Sequence, residues 1–325
     1  MTRACGSIRP RCPRERHETM NDTTDLFLIT GATGKTGVPT VELLRQRGFR
    51  VRALVHSLDD RATRLHELGA EVVQGDLLDF DVVSSAMVGV TAAYFCYPID
   101  PPRLLEATAI FAQAATEANV GAVVNMSQSP ARREAQYYGP REHWIAERLL
   151  DRTPMMTTHL RPTLFADWLS WQWVRHENQG VLRLPFGNAR HAPIASADQA
   201  KVIAAILANP APHDRQVYPL YGPEELDHHE IAQKISKTLG IPVRYEPVDT
   251  ESFAAALRAQ GGSPFLAQYL SNVARDYQSS DVFAGTNNLV ETIGGTPPMT
   301  VEQYTTATRT SFDSQGQYAA WASVA

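Results

Sequence analysis

The sequence predicts an α/β fold built on a doubly wound parallel sheet, with a smaller, mainly helical C-terminal region. Three observations carry that expectation. The run LFLITGATGKTGV, residues 26–38, leads an apolar strand into Gly31, Gly34 and Gly37 and then into a helical pattern. Short apolar runs and helical patterns keep alternating as far as Pro162, the sequence sign of a parallel sheet covered on both faces. At 325 residues, with 43% hydrophobic and 20% charged residues, the chain has the length and make-up of a globular α/β protein with a sizeable core.

Each element has its own justification. Pro39 stands near the first turn of the first helix, where a missing N–H is tolerated. Val41, Leu43 and Leu44 give that helix an apolar face, Gly48 stops it, and RVRALVH, 50–56, reads as the second strand. The same reading gives a helix over 61–68, a third strand over 71–77, a helix over 80–88 and a fourth strand over 92–97. A long helix over 102–119, a fifth strand over 122–126, a helix over 141–150 and a sixth strand over 156–161 complete the rhythm. Beyond Pro162 tryptophan, proline and glycine increase, and helices are expected over 197–209, 227–239, 252–260, 264–277 and 300–312.

A glycine-rich turn between a strand and a helix suits a diphosphate, because backbone can approach the phosphates and the helix N-terminus offers unpaired N–H groups. Gly34-Lys35-Thr36 also spells the end of a nucleotide-triphosphate loop, but Ile29 stands where that motif requires glycine. The formal net charge of -5 leaves no concentrated basic face for nucleic acid. Basic residues cluster only in the opening MTRACGSIRPRCPRERHE, which has no apolar period and is expected to be a disordered extension over 1–24, with Met20 as an alternative start. Cys5, Cys12 and Cys96 form neither a disulfide framework nor a zinc set, and no apolar run approaches a membrane span. A cytoplasmic protein acting on a small molecule, with no membrane partner, is expected, and no heptad or interface helix announces a subunit number.

LFLITGATGKTG, RVRALVH, GAEVVQGDLLD, VVNMSQS, EHWIAERLL and THLRPTLF occur in this order with short gaps. Together they resemble the NmrA-like branch of the atypical short-chain dehydrogenases, which includes quinone and triphenylmethane dye reductases. YPLYGPEELDHHEIAQKISKTLGIPVRYEPV is similar to that branch too, so the resemblance runs from Leu26 to Phe312. It implies a Rossmann-type fold, NADP or NAD binding, and a cleft between the sheet and the C-terminal part. The corresponding division is a dinucleotide-binding domain over 25–165 and a substrate or lid region over 166–325, partly interleaved with the sheet.

By that likeness the loop of Gly31, Thr33, Gly34, Lys35, Thr36 and Gly37 meets the phosphates, and Asp76 and Leu77 flank the adenine. Asp76 also reads as a turn or cap residue before the next helix. Tyr97 and Pro98 fall beside the central riboses. The end of strand two, where a carboxylate selects NAD, is His56. Lys35, Arg52, Arg61 and Arg64 are nearby cations, so NADP is favoured over NAD, although Arg52, Arg61 and Arg64 also read as solvated residues.

The usual catalytic tyrosine and the lysine four residues later are absent, because Gly139 and His143 occupy those positions, with Tyr137 and Tyr138 displaced. His143 is the candidate to bond the nicotinamide ribose or deliver a proton, or else a helix residue pairing with Glu147 one turn on. Ser127 either bonds a carboxamide or substrate carbonyl or caps a turn. Trp168, Trp171 and Trp173, with Phe165 and Phe186, read either as an aromatic pocket or as packing. His228-His229-Glu230 lacks zinc-hydrolase spacing and is expected to be a solvated helix start, and no GxSxG elbow supports a hydrolase. The function expected is NAD(P)H-dependent reduction of an aromatic or quinone-like acceptor, the alternative being a cofactor-binding redox sensor without turnover.

Overall fold

The computed structural model describes residues 25–99, 102–171 and 173–313. The expected extension at 1–24, with Cys5, Cys12 and Met20, lies outside them. The first half follows the predicted rhythm: β1 (Leu26–Ile29), α1 (Gly37–Gln46), β2 (Arg50–Val55), α2 (Asp60–Glu67), β3 (Glu71–Gln74), α3 (Phe80–Met87), β4 (Ala92–Phe95), α4 (Leu104–Glu117), β5 (Ala122–Met126), α5 (Tyr138–Leu150) and β6 (Met156–Pro162). Strand three is shorter than expected because Asp76 Oδ1 accepts from the backbone N–H of Leu78 at 2.9 Å and turns the chain. Helix α5 begins three residues early, since Pro140 in its first turn loses no hydrogen bond there.

The second half contains α6 (Asp167–Trp171), β7 (Trp173–His176), β8 (Gln179–Leu184), α7 (Ser196–Ala208), β9 (Gln216–Leu220), α8 (His228–Leu239), β10 (Val243–Pro247), α9 (Thr250–Ala259), α10 (Pro264–Ser279), α11 (Leu289–Gly294) and α12 (Val301–Ala307). This region is mainly helical, yet it also holds a small sheet of order β10-β8-β7, and β9 returns to the main sheet.

The main sheet has the order β3-β2-β1-β4-β5-β6-β9, parallel throughout. Its direction of winding reverses between β1 and β4, the crevice where open α/β sheets take their ligands. On one face Val41 and Leu44 of α1, Leu65 of α2 and Val202, Ile203 and Ile206 of α7 pack against Phe27, Ile29 and Val124. On the other, Val83 and Met87 of α3, Phe111 of α4 and Leu150 of α5 pack against Leu28, Phe95 and Val123. A third core, built around Trp173, Phe186, Ile231, Leu270, Tyr277 and Phe312, holds the C-terminal half together. Among the described residues no helix is long and apolar enough to cross a membrane.

Candidate functional site

A cavity of about 590 Å³ opens at the C-terminal ends of the strands. That is within the usual range for cofactor and small-ligand sites, roughly 300–1,000 Å³. Its lining joins nearly all the residues singled out from the sequence. Gly31, Thr33, Gly34, Lys35 and Thr36 form one end with His56, Asp76 and Leu77, and Tyr97, Pro98, Ser127 and His143 follow toward the other. Gly37 does not line it. A Cβ there would stand 2.2 Å from the Gly31 carbonyl oxygen and 2.7 Å from Ala32 Cα, so this glycine lets the loop close onto the start of α1. Gly31 itself turns at φ +58°.

The loop is shaped for an anion. Helices α2 and α3 have their first N–H groups capped by Asp59 and Asp79, whereas α1 has neither a side-chain cap nor an acidic residue in its first turn. The Thr36 hydroxyl is shared instead with the buried Tyr94 hydroxyl at 2.9 Å. Val38 N–H already bonds the Gly34 carbonyl at 3.1 Å and Pro39 has no N–H, so it is the loop residues Gly31 to Thr36 lining the cavity, with the positive end of the helix dipole behind them, that fit a dinucleotide diphosphate.

The cations suggested for a 2′-phosphate separate. Arg52 is bound into the scaffold: it pairs with Glu71 at 3.0 Å and donates to the Ala86 and Val88 carbonyls at 2.7 and 2.8 Å. Arg64 is exposed and lies off the cavity lining, as its solvated reading allowed. Lys35 places its Nζ 5.6 Å from the centre of the Trp171 ring. Arg61 lines the cavity beside His56 and Ser57, and pairs with Asp59 at 2.7 Å.

Beneath the far end lies a buried ionic network. Glu147 of α5 is fully buried and accepts from Arg161 Nε at 2.8 Å, Arg161 Nη2 at 2.5 Å and Ser127 Oγ at 2.6 Å. The Ser127 proton is thus committed, leaving its oxygen lone pairs for a ligand. Glu147 pairs with Arg161 rather than with His143, whose Nδ1 is buried without a partner. Burial pushes the His143 imidazole down to about 4, so it is neutral at neutral pH. Burial likewise pushes the Cys96 thiol up to about 11, leaving it protonated and unreactive.

The aromatic residues divide. Phe165, Trp168 and Trp171 line the cavity. Trp173 is instead 1% exposed and packs edge-on to Phe312 at 5.1 Å, and Phe186 lies in the core against Tyr277. His228-His229-Glu230 does open a helix, with a capping box between Asp227 and Glu230. His228 is nevertheless 1% exposed, not solvated, because its helical position turns it into the C-terminal core while His229 faces outward. No metal-binding cluster is present among the described residues. Sequence reasoning missed Gln128 and Tyr269, which also line the cavity.

A glycine turn at the reversal point of a parallel sheet, feeding an uncapped helix, defines a Rossmann-type dinucleotide-binding fold. The chain belongs to the NmrA-like family, which matches it over residues 23–306. It is 25% identical over 289 residues to the NAD(P)H azoreductase of Xenophilus azovorans, spanning 88% of this chain and 99% of that protein. The NADPH-dependent quinone oxidoreductase QOR2 of Escherichia coli, solved with NADPH, has the same fold at a TM-score of 0.74 and 22% identity, covering 86% of this chain and 99% of that one. NmrA, a negative transcriptional regulator solved with NADP, shares the fold at a TM-score of 0.72 and 15% identity, over 86% and 94% of the two chains.

Proposed function

We propose that this protein is an NADPH-dependent oxidoreductase that reduces a flat, conjugated quinone-like or azo acceptor. The observation that carries the reading is that one cavity joins the glycine loop before α1 to Trp168, Trp171 and the residues of two unpartnered polar atoms, Gln128 and His143. The azoreductase likeness along nearly its whole length supports the same chemistry. NADPH, when bound, supplies a hydride.

In this reading the backbone of the Gly31 to Thr36 loop, ahead of α1, takes the diphosphate, and Asp76 and Leu77 flank the adenine. Asp76 accepts from the exocyclic amine with the oxygen that Leu78 leaves open. Tyr97 and Pro98 lie along the central riboses. Neutral His143 bonds the nicotinamide ribose, and Ser127 offers a lone pair to the carboxamide N–H. The usual tyrosine–lysine pair is dispensable because a delocalised anion makes a small demand for a proton, so positioning carries the rate.

NADP is selected by His56 and Arg61, with no carboxylate at the end of β2. Arg61→Glu is expected to weaken NADPH by about tenfold or more, the scale of a lost charge-assisted contact, while NADH changes far less. Titration of cofactor fluorescence reads both, and equal losses would remove Arg61 from the 2′-phosphate site.

The main test is NADPH oxidation against quinones, azo dyes and triarylmethane dyes. The expected result is turnover of at least one class, with a pH profile flat from about pH 5.5 to about pH 7.5, because His143 stays neutral where a free imidazole would titrate. Tight cofactor binding with no acceptor reduced would favour the sensor reading, the role that the NmrA likeness brings to mind.

A further inference from the structure

The position of the missing tyrosine is filled from elsewhere in the chain. A Cβ on Gly139 would stand 2.2 Å from Cε2 of Tyr269 and 3.0 Å from its Cδ2 and Cζ. The ring of a tyrosine on α10 therefore lies against the first turn of α5, in space that any side chain at 139 would claim. Its hydroxyl donates to Oε1 of Gln128 at 3.0 Å, and Gln128 follows Ser127 just beyond β5. The same wall of the cavity receives Leu266, Leu270 and Val273 from α10, and Ser263 at the helix start accepts the Leu266 N–H on its hydroxyl, so Tyr269 is the hydroxyl that the helix itself brings to a mainly apolar surface.

Two polar atoms here lack partners: Nε2 of Gln128 and Nδ1 of His143. Buried polar groups are nearly always hydrogen-bonded, and two orphans on one cavity mark a place where a ligand completes the set. A mainly apolar wall with the Tyr269 hydroxyl beside the Gln128 amide suits a flat ring system that carries one hydrogen-bond acceptor atom.

We infer that Tyr269 and Gln128 form the polar anchor of the acceptor, the Tyr269 O–H turning from Gln128 Oε1 to a carbonyl oxygen or azo nitrogen. The inference rests on the reductase reading. A quinone that gains a hydride becomes a hydroquinone monoanion while the dihydronicotinamide is oxidised, and the charge appears on an oxygen that this O–H can hold. A donor already in place strengthens as that charge develops. Burial holds the phenol well above its usual range, so Tyr269 keeps its proton, and the released anion takes one from water.

Tyr269→Phe tests this, because it keeps the ring that packs on Gly139 and removes only the hydroxyl. Turnover is compared on a soluble benzoquinone and on a cationic triarylmethane dye, which takes hydride at carbon and loses its charge instead of gaining one. The quinone-to-dye ratio of kcat/KM is expected to fall by about tenfold or more, the size of a hydrogen bond lost to a developing charge, with NADPH affinity within about twofold. A ratio that does not move overturns the inference. A second readout needs no turnover: benzoquinone is titrated into the NADP⁺-loaded protein and quenching of tryptophan fluorescence is followed, with about tenfold weaker binding expected for Tyr269→Phe. Should the wild type bind quinone without reducing any acceptor, the reductase reading fails, while the affinity of the variant still decides on the anchor. Equal affinity in both proteins, or no quinone binding by the wild type, overturns the anchor.

Discussion

Glu147→Ala is expected to remove about 3–5 kcal/mol of folding stability, the usual cost of deleting one member of a buried ion pair. The carboxylate is fully shielded from solvent and satisfies both arms of the Arg161 fork together with the Ser127 hydroxyl. Removing it strands a guanidinium that is 23% exposed and a buried hydroxyl. The network joins α5 to β5 and β6, the elements that bear His143, Ser127 and the base of the cavity. For a chain of 325 residues the loss corresponds to a fall in Tm of about 4–7 °C, measurable by thermal or urea unfolding. NADPH affinity should fall as well, because Ser127 loses the bond that fixes its rotamer. Glu147→Gln should be milder in volume yet still costly, since its amide must present N–H toward Arg161 or Ser127. A loss below about 1 kcal/mol for the alanine variant, the worth of an exposed pair, would show that the network merely decorates the fold.

What could be read from the sequence depended on how local its cause was. The β1–α1 turn was legible because its glycines act on their immediate neighbours, Gly37 on the Gly31 carbonyl and Gly31 through its own φ. Strands β4 and β5 were legible because strands covered on both faces are continuous apolar runs, and β2, β3 and β6 from their place in the alternation with helices. Strand β9 was not, since Gln216–Leu220 is an edge strand paired only with β6, half of it is exposed, and Pro219 is tolerated there. The β10-β8-β7 sheet was hidden in short, polar strands such as QGVLRL and VRYEP. At the site, Glu147 read as a partner for His143 because helical spacing is all one helix can show. Its real partners came from β6 and the end of β5, through contacts 14 and 20 residues away in the chain. Tyr269 lies 141 residues from Gln128. The one local trace of it was the glycine at 139, a vacancy that a packed interior had to fill.

The last prediction concerns acid. His191 and His228 are 2% and 1% exposed and stack with ring centres 5.2 Å apart in the C-terminal core. The Tyr277 hydroxyl donates to the Ala189 carbonyl at 3.0 Å, so at 2.6 Å it accepts from His191 Nδ1–H. His228 lies between Phe186 and Tyr245, each with its ring centre 5.1 Å away, and its Nδ1 has no partner. Burial pushes His228 down to about 3, and burial together with the neighbouring imidazole pushes His191 well below its usual value. In the unfolded chain both titrate near about 6.5. Below that pH the unfolded state takes up protons that the native core refuses, so stability falls as pH falls, by up to about 1.4 kcal/mol per pH unit for each imidazole. The loss begins near the unfolded value and continues toward about pH 3, amounting to about 4 kcal/mol for the pair by about pH 5. Urea unfolding at about pH 8 and about pH 5 measures it, together with a like contribution from buried His143, and His228→Leu should remove about a third of the difference. A free energy that does not change between those two conditions would mean that the imidazoles ionise within the fold.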